Sequence, residues 1–289
     1  MNRSLYLFFA LTIAALLGSC KLINPPEKIP SFIQVEHPVL ITQNNEGTTS
    51  HNIVDAWVYI NDRLVGVFEI PAKVPILLDG NQELKVFAGI KRNGLNGKRD
   101  RYPFYQAHSQ SINLIPDSVI TINPVFEYVP NAVFWIEDFE DPSVKFFQSA
   151  ESDTNIIRTT LPSEVYEGAG SGKIALPSNF TRFKMETNET AFDPFPFNAP
   201  IFMEFDYKTN ITFGVGIMHK DQSIGGFVTA SPIVFVNPKS EWNKIYVDLT
   251  EVVNKFNQAT DFEIYFSIDN PNTGISPQVF LDNIKVVWR

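Results

Sequence analysis

From residue 31 to the end, the chain is written in short runs of alternating apolar and polar positions, cut by Pro, Gly, Asn and Asp. The clearest run is 201–208, where Phe202, Glu204, Asp206 and Lys208 interleave with Met203, Phe205 and Tyr207. A period of two is that of a β-strand with one face on a core and the other facing outward. Similar runs predict strands over 31–36, 56–60, 64–69, 84–90 and 118–127 in the first half. The second half predicts them over 133–141, 170–176, 241–249 and 279–287. Asn61-Asp62-Arg63 sits between two apolar runs as a hairpin turn, and Asp79-Gly80-Asn81 is a second turn. Only 251–256 reads as a short helical turn. The expected fold class is therefore all-β, with two β-sandwich domains.

A boundary is expected at Tyr128-Val129-Pro130-Asn131, because a Pro-Asn pair between two strand-like runs is turn chemistry. This gives domains at 31–129 and 132–289. Residues 20–30 are polar and hold three prolines, which reads as a tether. Ahead of it, Arg3 precedes an uncharged apolar run from Leu5 to Leu17, about the length of a signal-peptide core and short for a membrane span. The run ends in Leu17-Gly18-Ser19-Cys20, which resembles a bacterial lipobox. That resemblance implies a lipoprotein signal peptide over 1–19 and lipidation of Cys20, the only cysteine of the chain. Three acyl chains would make a permanent anchor, since each buried CH₂ contributes about 0.8 kcal/mol. Lys21 in place of Asp implies, by the same resemblance, lipid anchoring at the outer membrane.

Composition narrows the partners. The chain has 23 basic and 32 acidic residues, a net charge of −9. Removing residues 1–19 removes one base and no acid. Nucleic acid is not expected as a partner, because binding it requires a basic footprint. With one cysteine no internal disulfide can form, so packing must stabilise the fold. Against this acidic background, Lys91, Arg92, Lys98, Arg99 and Arg101 crowd into eleven residues, followed by Tyr102, Phe104 and Tyr105. Two readings stand: a contact surface for an anionic glycan or an acidic partner, with Arg92, Arg99, Arg101 and Tyr105 as contact residues, or a solvated hairpin tip.

Two resemblances add to this picture. Val58, Tyr59, Ile60, Asn61, Gly66, Pro75, Gly80 and Val86 resemble the hairpin-and-strand pattern of small Ig-like modules of the PEGA and carboxypeptidase-regulatory type, with Asp62 where Gly is usual. The five blocks 133–141, 170–176, 201–208, 241–249 and 279–287, opening on Phe139-Glu140-Asp141 and closing on Leu281-Asp282-Asn283-Ile284, resemble the galactose-binding-like jelly roll of carbohydrate-binding modules. The second resemblance implies a structural Ca²⁺ held by Glu140 and Asp282 with carbonyls near 167–170. Oxygen ligands from distant segments suit that ion. The alternative is that both carboxylates bond turn amides.

No catalytic set emerges. Residues 168–173 fail as a phosphate loop, because Glu167 stands where the first Gly is needed and Ile174 follows Lys173. Gly214-Val215-Gly216 lacks the third glycine of a dinucleotide fingerprint. His37, His51, His108 and His219 are scattered. The expectation is a non-enzyme that binds glycan through the jelly roll, or else an adaptor that binds an outer-membrane protein. Phe192, Phe195 and Phe197, spaced by prolines, are its remaining contact candidates; the alternative is that they cap one end of the sandwich.

Overall fold

A computed structural model describes residues 27–177, 180–187, 192, 195–269, 274 and 276–289. The signal segment and Cys20 lie outside the described residues. The chain is all-β, and its one described helix is Thr250–Lys255 (α1).

The first half contains ten strands: β1 (Ser31–Val35), β2 (Val39–Ile41), β3 (Asp55–Ile60), β4 (Arg63–Glu69), β5 (Ala72–Ile76), β6 (Gly80–Lys91), β7 (Arg99–Arg101), β8 (His108–Leu114), β9 (Val119–Ile122) and β10 (Val125–Glu127). One sheet runs β4-β3-β6-β7, with β8 also on β6. A second runs β5-β1-β9, and β10 pairs with β2. Asn61 and Asp62 both adopt positive φ, 50° and 61°, and join β3 to β4 in a two-residue turn. That geometry matches the right-handed twist of the flanking strands, and Asx residues tolerate it best after Gly. Ile33, Val35, Val58, Val74, Val86 and Leu114 fill the space between the sheets.

The second half forms a two-sheet sandwich. Its first sheet is built from β11 (Val133–Glu137), β13 (Ile157–Thr159), β14 (Ser171–Ala175), β16 (Ile201–Thr209), β20 (Lys239–Asp248) and β22 (Gln278–Trp288). Its second sheet contains β12 (Phe146–Gln148), β15 (Arg182–Thr187), β17 (Phe213–Asp221), β18 (Gly226–Thr229), β19 (Val234–Val236) and β21 (Phe262–Asp269). Met203, Phe205, Val247, Leu281 and Val286 from the first sheet meet Phe183, Met185, Val215, Ile264 and Phe266 from the second. Among the described residues no sheet draws strands from both sides of residue 130.

Gly214 and Gly216, which look like part of a nucleotide fingerprint in the sequence, lie inside β17. A Cβ on Gly216 would sit 2.5 Å from the Tyr265 hydroxyl on the neighbouring strand, so the glycine makes room for a tyrosine.

The two halves do not meet at a loose joint. Phe202, Tyr246 and Val287 belong to the second half by strand, yet pack into the core of the first.

Candidate functional site

In the sandwich's first sheet, β16 lies between β20 and β22, and its outward residues form cross-strand rows. Phe202 stands opposite Asp248 and Val287, Glu204 opposite Tyr246 and Lys285, and Asp206 opposite Lys244 and Asp282. From sequence this face reads as solvated. Instead it is covered by the first half: Glu204 is 0% exposed, Lys285 1% and Asp206 1%.

Burying charges is costly unless each is paired and hydrogen-bonded. Here they are. Tyr102 donates its hydroxyl to Glu204 at 2.5 Å, and Tyr128 reaches the same carboxylate at 2.9 and 3.1 Å. Lys285 donates to the Tyr128 hydroxyl at 2.9 Å. Lys244 lies 3.5 Å from Asp206 and 3.7 Å from Glu204. Ser50 donates to Asp206 at 2.8 Å. Burial and the Glu204 charge push the Tyr102, Tyr105 and Tyr128 hydroxyls well above the usual tyrosine range. Burial opposes the charge on Lys244, but Asp206 and Glu204 outweigh it and hold the ammonium above the usual lysine range. Lys285 differs: burial drives it down to about 8, against the pull of Glu204.

This interface closes most of the outer face but leaves a cleft beside it. Residues 91–98 form a hairpin tip that docks on β20, the edge strand of the sheet. The Asn93 amide donates to the Tyr246 carbonyl at 2.8 Å, and the Asn93 side chain accepts from the Asp248 amide at 2.8 Å. Facing this tip is the 234–239 segment, which carries Phe235 with 63% of its surface exposed. Between them lies a cleft of about 330 Å³. Lys91, Asn96 and Leu95 line one side, Phe235, Asn237 and Lys239 the other, and Tyr207 and Asn243 the base. Asn243 donates to the Tyr207 hydroxyl at 3.2 Å, which fixes the base in place.

The residues singled out from sequence divide sharply. Arg92 and Arg99 are ion-paired rather than a free basic surface, and this corrects that expectation for them; Arg101 stays exposed. Arg92 pairs with Asp100 at 3.0 Å and Asp248 at 3.4 Å. Arg99 pairs with Asp55 at 2.5 Å and Glu69 at 3.4 Å. Arg101 lies over the Phe87 ring at 4.8 Å. Tyr105 is buried against Tyr102 and Tyr128, so it too is withdrawn from contact.

The proline-spaced phenylalanines are corrected likewise. Phe192 and Phe195 are each 2% exposed, stack on one another at 4.9 Å, and pack edge-on against Trp288. They close one end of the sandwich, and only Phe197 stays exposed.

Glu140 and Asp282 both hold the 167–171 loop, but through hydrogen-bond donors. Glu140 accepts from the Ala169 amide at 2.9 and 3.0 Å. Gly168 has φ +66°, and any Cβ there would collide with the Glu140 carboxylate. Asp282 accepts from the Ser171 hydroxyl at 2.5 Å and from the Asn283 amide at 2.8 Å. Burial pushes its carboxyl up to about 7 despite these donors. N–H and O–H groups point where a cation would need oxygen, so the two residues do not fit a Ca²⁺ site. Among the described residues no three His, Cys, Asp or Glu side chains gather as metal ligands.

With this geometry in hand, the chain can be set beside known proteins. No family model matches it, and no curated protein does. Solved structures do. The xylan-binding CBM22-1 domain of Paenibacillus barcinonensis Xyn10C is 11% identical over 53% of this chain and 92% of its own, with a TM-score of 0.39. A family 29 carbohydrate-binding module complexed with mannohexaose is 12% identical over 54% of this chain and 92% of its own, at 0.34. The enzymatically active domain of bacteriophage CBA120 tailspike protein 4 is 14% identical over 53% of this chain and 20% of its own, at 0.39. These neighbours are likenesses of shape and say nothing about what this chain binds.

The cleft was not legible in the sequence. Its sides come from segments about 140 residues apart, and neither carries a motif. The one usable signal was Lys91, which belongs to the basic run.

Proposed function

We propose that this protein is a non-catalytic glycan-binding protein whose site is the cleft between the 91–98 hairpin and the 234–239 segment. The observation that carries the reading is the lining of the cleft. Five of its seventeen lining residues are asparagines; Asn52, Asn93 and Asn243 are held by Lys244, Asp248 and Tyr207, which leaves the Asn96 and Asn237 amides to a ligand, and an exposed aromatic ring stands at the rim. Amides donate and accept at once, which suits hydroxyls that do the same, and an aromatic face suits the C–H face of a sugar ring. The same lining supports binding without turnover. It contains no Asp, Glu, His, Ser or Cys, whereas glycoside hydrolysis needs a pair of carboxylates.

The reading takes in the remaining expectations from sequence, of which the anchor lies outside the described residues. The protein would be held at the outer membrane by lipid on Cys20, with an Ig-like first module and a jelly-roll second one. Cys20→Ser should then leave the membrane fraction or stay unprocessed.

Binding is tested by titrating the full chain with neutral and acidic oligosaccharides by calorimetry, alongside Phe235→Ala. Loss of affinity in that variant with an unchanged melting curve supports the cleft. Glycan binding that is unchanged in Phe235→Ala moves the site elsewhere. If the chain binds no saccharide and instead co-purifies with an outer-membrane protein, the adaptor reading replaces this one.

A further inference from the structure

Resting on that reading, we propose that the cleft selects anionic saccharides, those bearing a carboxylate or sulfate, and grips them with one lysine from each half of the chain. The chain is acidic overall, yet the seventeen residues lining the cleft include three lysines and no carboxylate. Charge segregation of this kind focuses a positive potential in a concave site and draws anions to it.

The three lysines are not equivalent. Lys244 is buried and already neutralised by Asp206 and Glu204, so it is structural. Lys91 and Lys239 have no ion-pair partner among the described residues. Of the arginines near Lys91, Arg92 is engaged by Asp100 and Asp248 and Arg99 by Asp55 and Glu69, while Arg101 lies over the Phe87 ring and does not line the cleft. Of the five basic residues of the hairpin, Lys91 is the one that lines the cleft. Lys239 opens β20 on the opposite side. A ligand between them is held from both halves, while Asn96 and Asn237 sit within the same walls to meet its hydroxyls.

A partly exposed charge pair contributes about 0.5–1 kcal/mol in the upper part of its usual range, so each lysine should matter by about two- to fivefold in affinity. The experiment titrates the full chain with oligogalacturonate, a sulfated glycosaminoglycan fragment, xylo-oligosaccharide and inorganic sulfate, at low and high salt. It uses the native protein, Lys91→Gln, Lys239→Gln, the double variant, and Lys73→Gln as a control on the remote strand β5. The expected result is preference for one or both acidic glycans over the neutral one, weakened by salt. Each cleft lysine should cost about two- to fivefold and the pair about tenfold, with Lys73→Gln silent. Preference for the uronate alone assigns a carboxylate, and for the sulfated chain alone a sulfate. Sulfate binding as tightly as either glycan would mean an anion site only and overturns the proposal. Neutral glycan bound as tightly as acidic, with the lysine variants unchanged, also overturns it while leaving the cleft a glycan site. No saccharide bound at all defeats both readings.

Discussion

Glu204→Gln is the sharpest test of how the two halves are joined. The change keeps volume and removes charge from a side chain that no solvent reaches. In the native protein the carboxylate accepts from Tyr102 at 2.5 Å and from Tyr128 at 2.9 and 3.1 Å, with the Lys244 ammonium at 3.7 Å. Hydrogen bonds to a charged group contribute about 1.5–3 kcal/mol, and neutral ones about 0.5–1.5. Neutralising the acceptor therefore costs about 1 kcal/mol for each tyrosine. The new amide must also turn its NH₂ towards either a hydroxyl donor or an ammonium, which leaves one buried donor unmet at about 1 kcal/mol more. The total of about 3 kcal/mol sits at the lower end of what breaking a buried ion pair costs. Asp206 still holds Lys244 at 3.5 Å, which keeps the loss from running higher. For a chain of this size the melting temperature should fall by about 6–12 °C. Urea unfolding followed by near-ultraviolet circular dichroism reads both the midpoint and the tyrosine cluster. Tyr102→Phe completes a double-mutant cycle, in which a coupling of about 1 kcal/mol is expected. A loss under about 1 kcal/mol with purely additive variants would mean that the carboxylate is not the hub of this interface.

Lys285→Met should be tolerated at pH 7 and should cancel a pH dependence. The native ammonium is pushed from 10.5 to about 8, so between those values the unfolded chain binds more protons and native stability rises with pH by about 3 kcal/mol. Urea midpoints at pH 7 and pH 9.5 should rise for the native protein relative to the variant; a gap that does not change with pH refutes the assignment. Phe195→Ala should cost about 3–5 kcal/mol, as for a buried ring, and a variant that melts like the native protein would return this loop to the surface. Chelation with EDTA should leave the melting temperature unchanged, because a ligand bound only by the native state would stabilise it and none fits Glu140 and Asp282; a fall on chelation restores a metal to the account.

The sequence carried one sheet of the sandwich far better than the other. All five blocks read as jelly-roll strands lie in the sheet of β11, β14, β16, β20 and β22, and the one in β16 alternates because one of its faces meets the core. The second sheet holds β15, β17 and β21, whose alternation is just as regular but whose glycines and short charged ends carry no recognisable block. What the period of two cannot convey is the identity of the layer beyond a strand's own sandwich. Glu204, Asp206 and Lys285 look like a solvated face in sequence, since the tyrosines and the Ser50 segment that cover them come from 76 to 157 residues away. The same distance problem hid the neutralisation of Arg92 and Arg99 by Asp248 and Asp55. The phenylalanine loop misled for a different reason. Loops usually run on the surface, but Phe192 and Phe195 are needed to seal the end of a sandwich where strands leave the core open.

Covering a sandwich face has a consequence for where a ligand can go. An open sheet offers its whole outer surface, and a ligand lying across it would meet three strands at once. Here the rows at Phe202, Glu204 and Asp206 are occupied by the chain's own tyrosines, serine and asparagine, so that surface is spent on joining the halves. The hairpin that caps β20 also lines the cleft, across from the 234–239 segment. Tyr246 belongs to both structures: its carbonyl takes the Asn93 amide, its hydroxyl takes the Asn52 amide at 3.1 Å, and its residue lines the cleft. The cleft is therefore lined from both halves of the chain rather than by either alone. On the proposed reading, ligand affinity and docking of the halves would be two readouts of one set of contacts, and a ligand that needs both Lys91 and Lys239 would stabilise the docked arrangement by whatever it gains from holding them together.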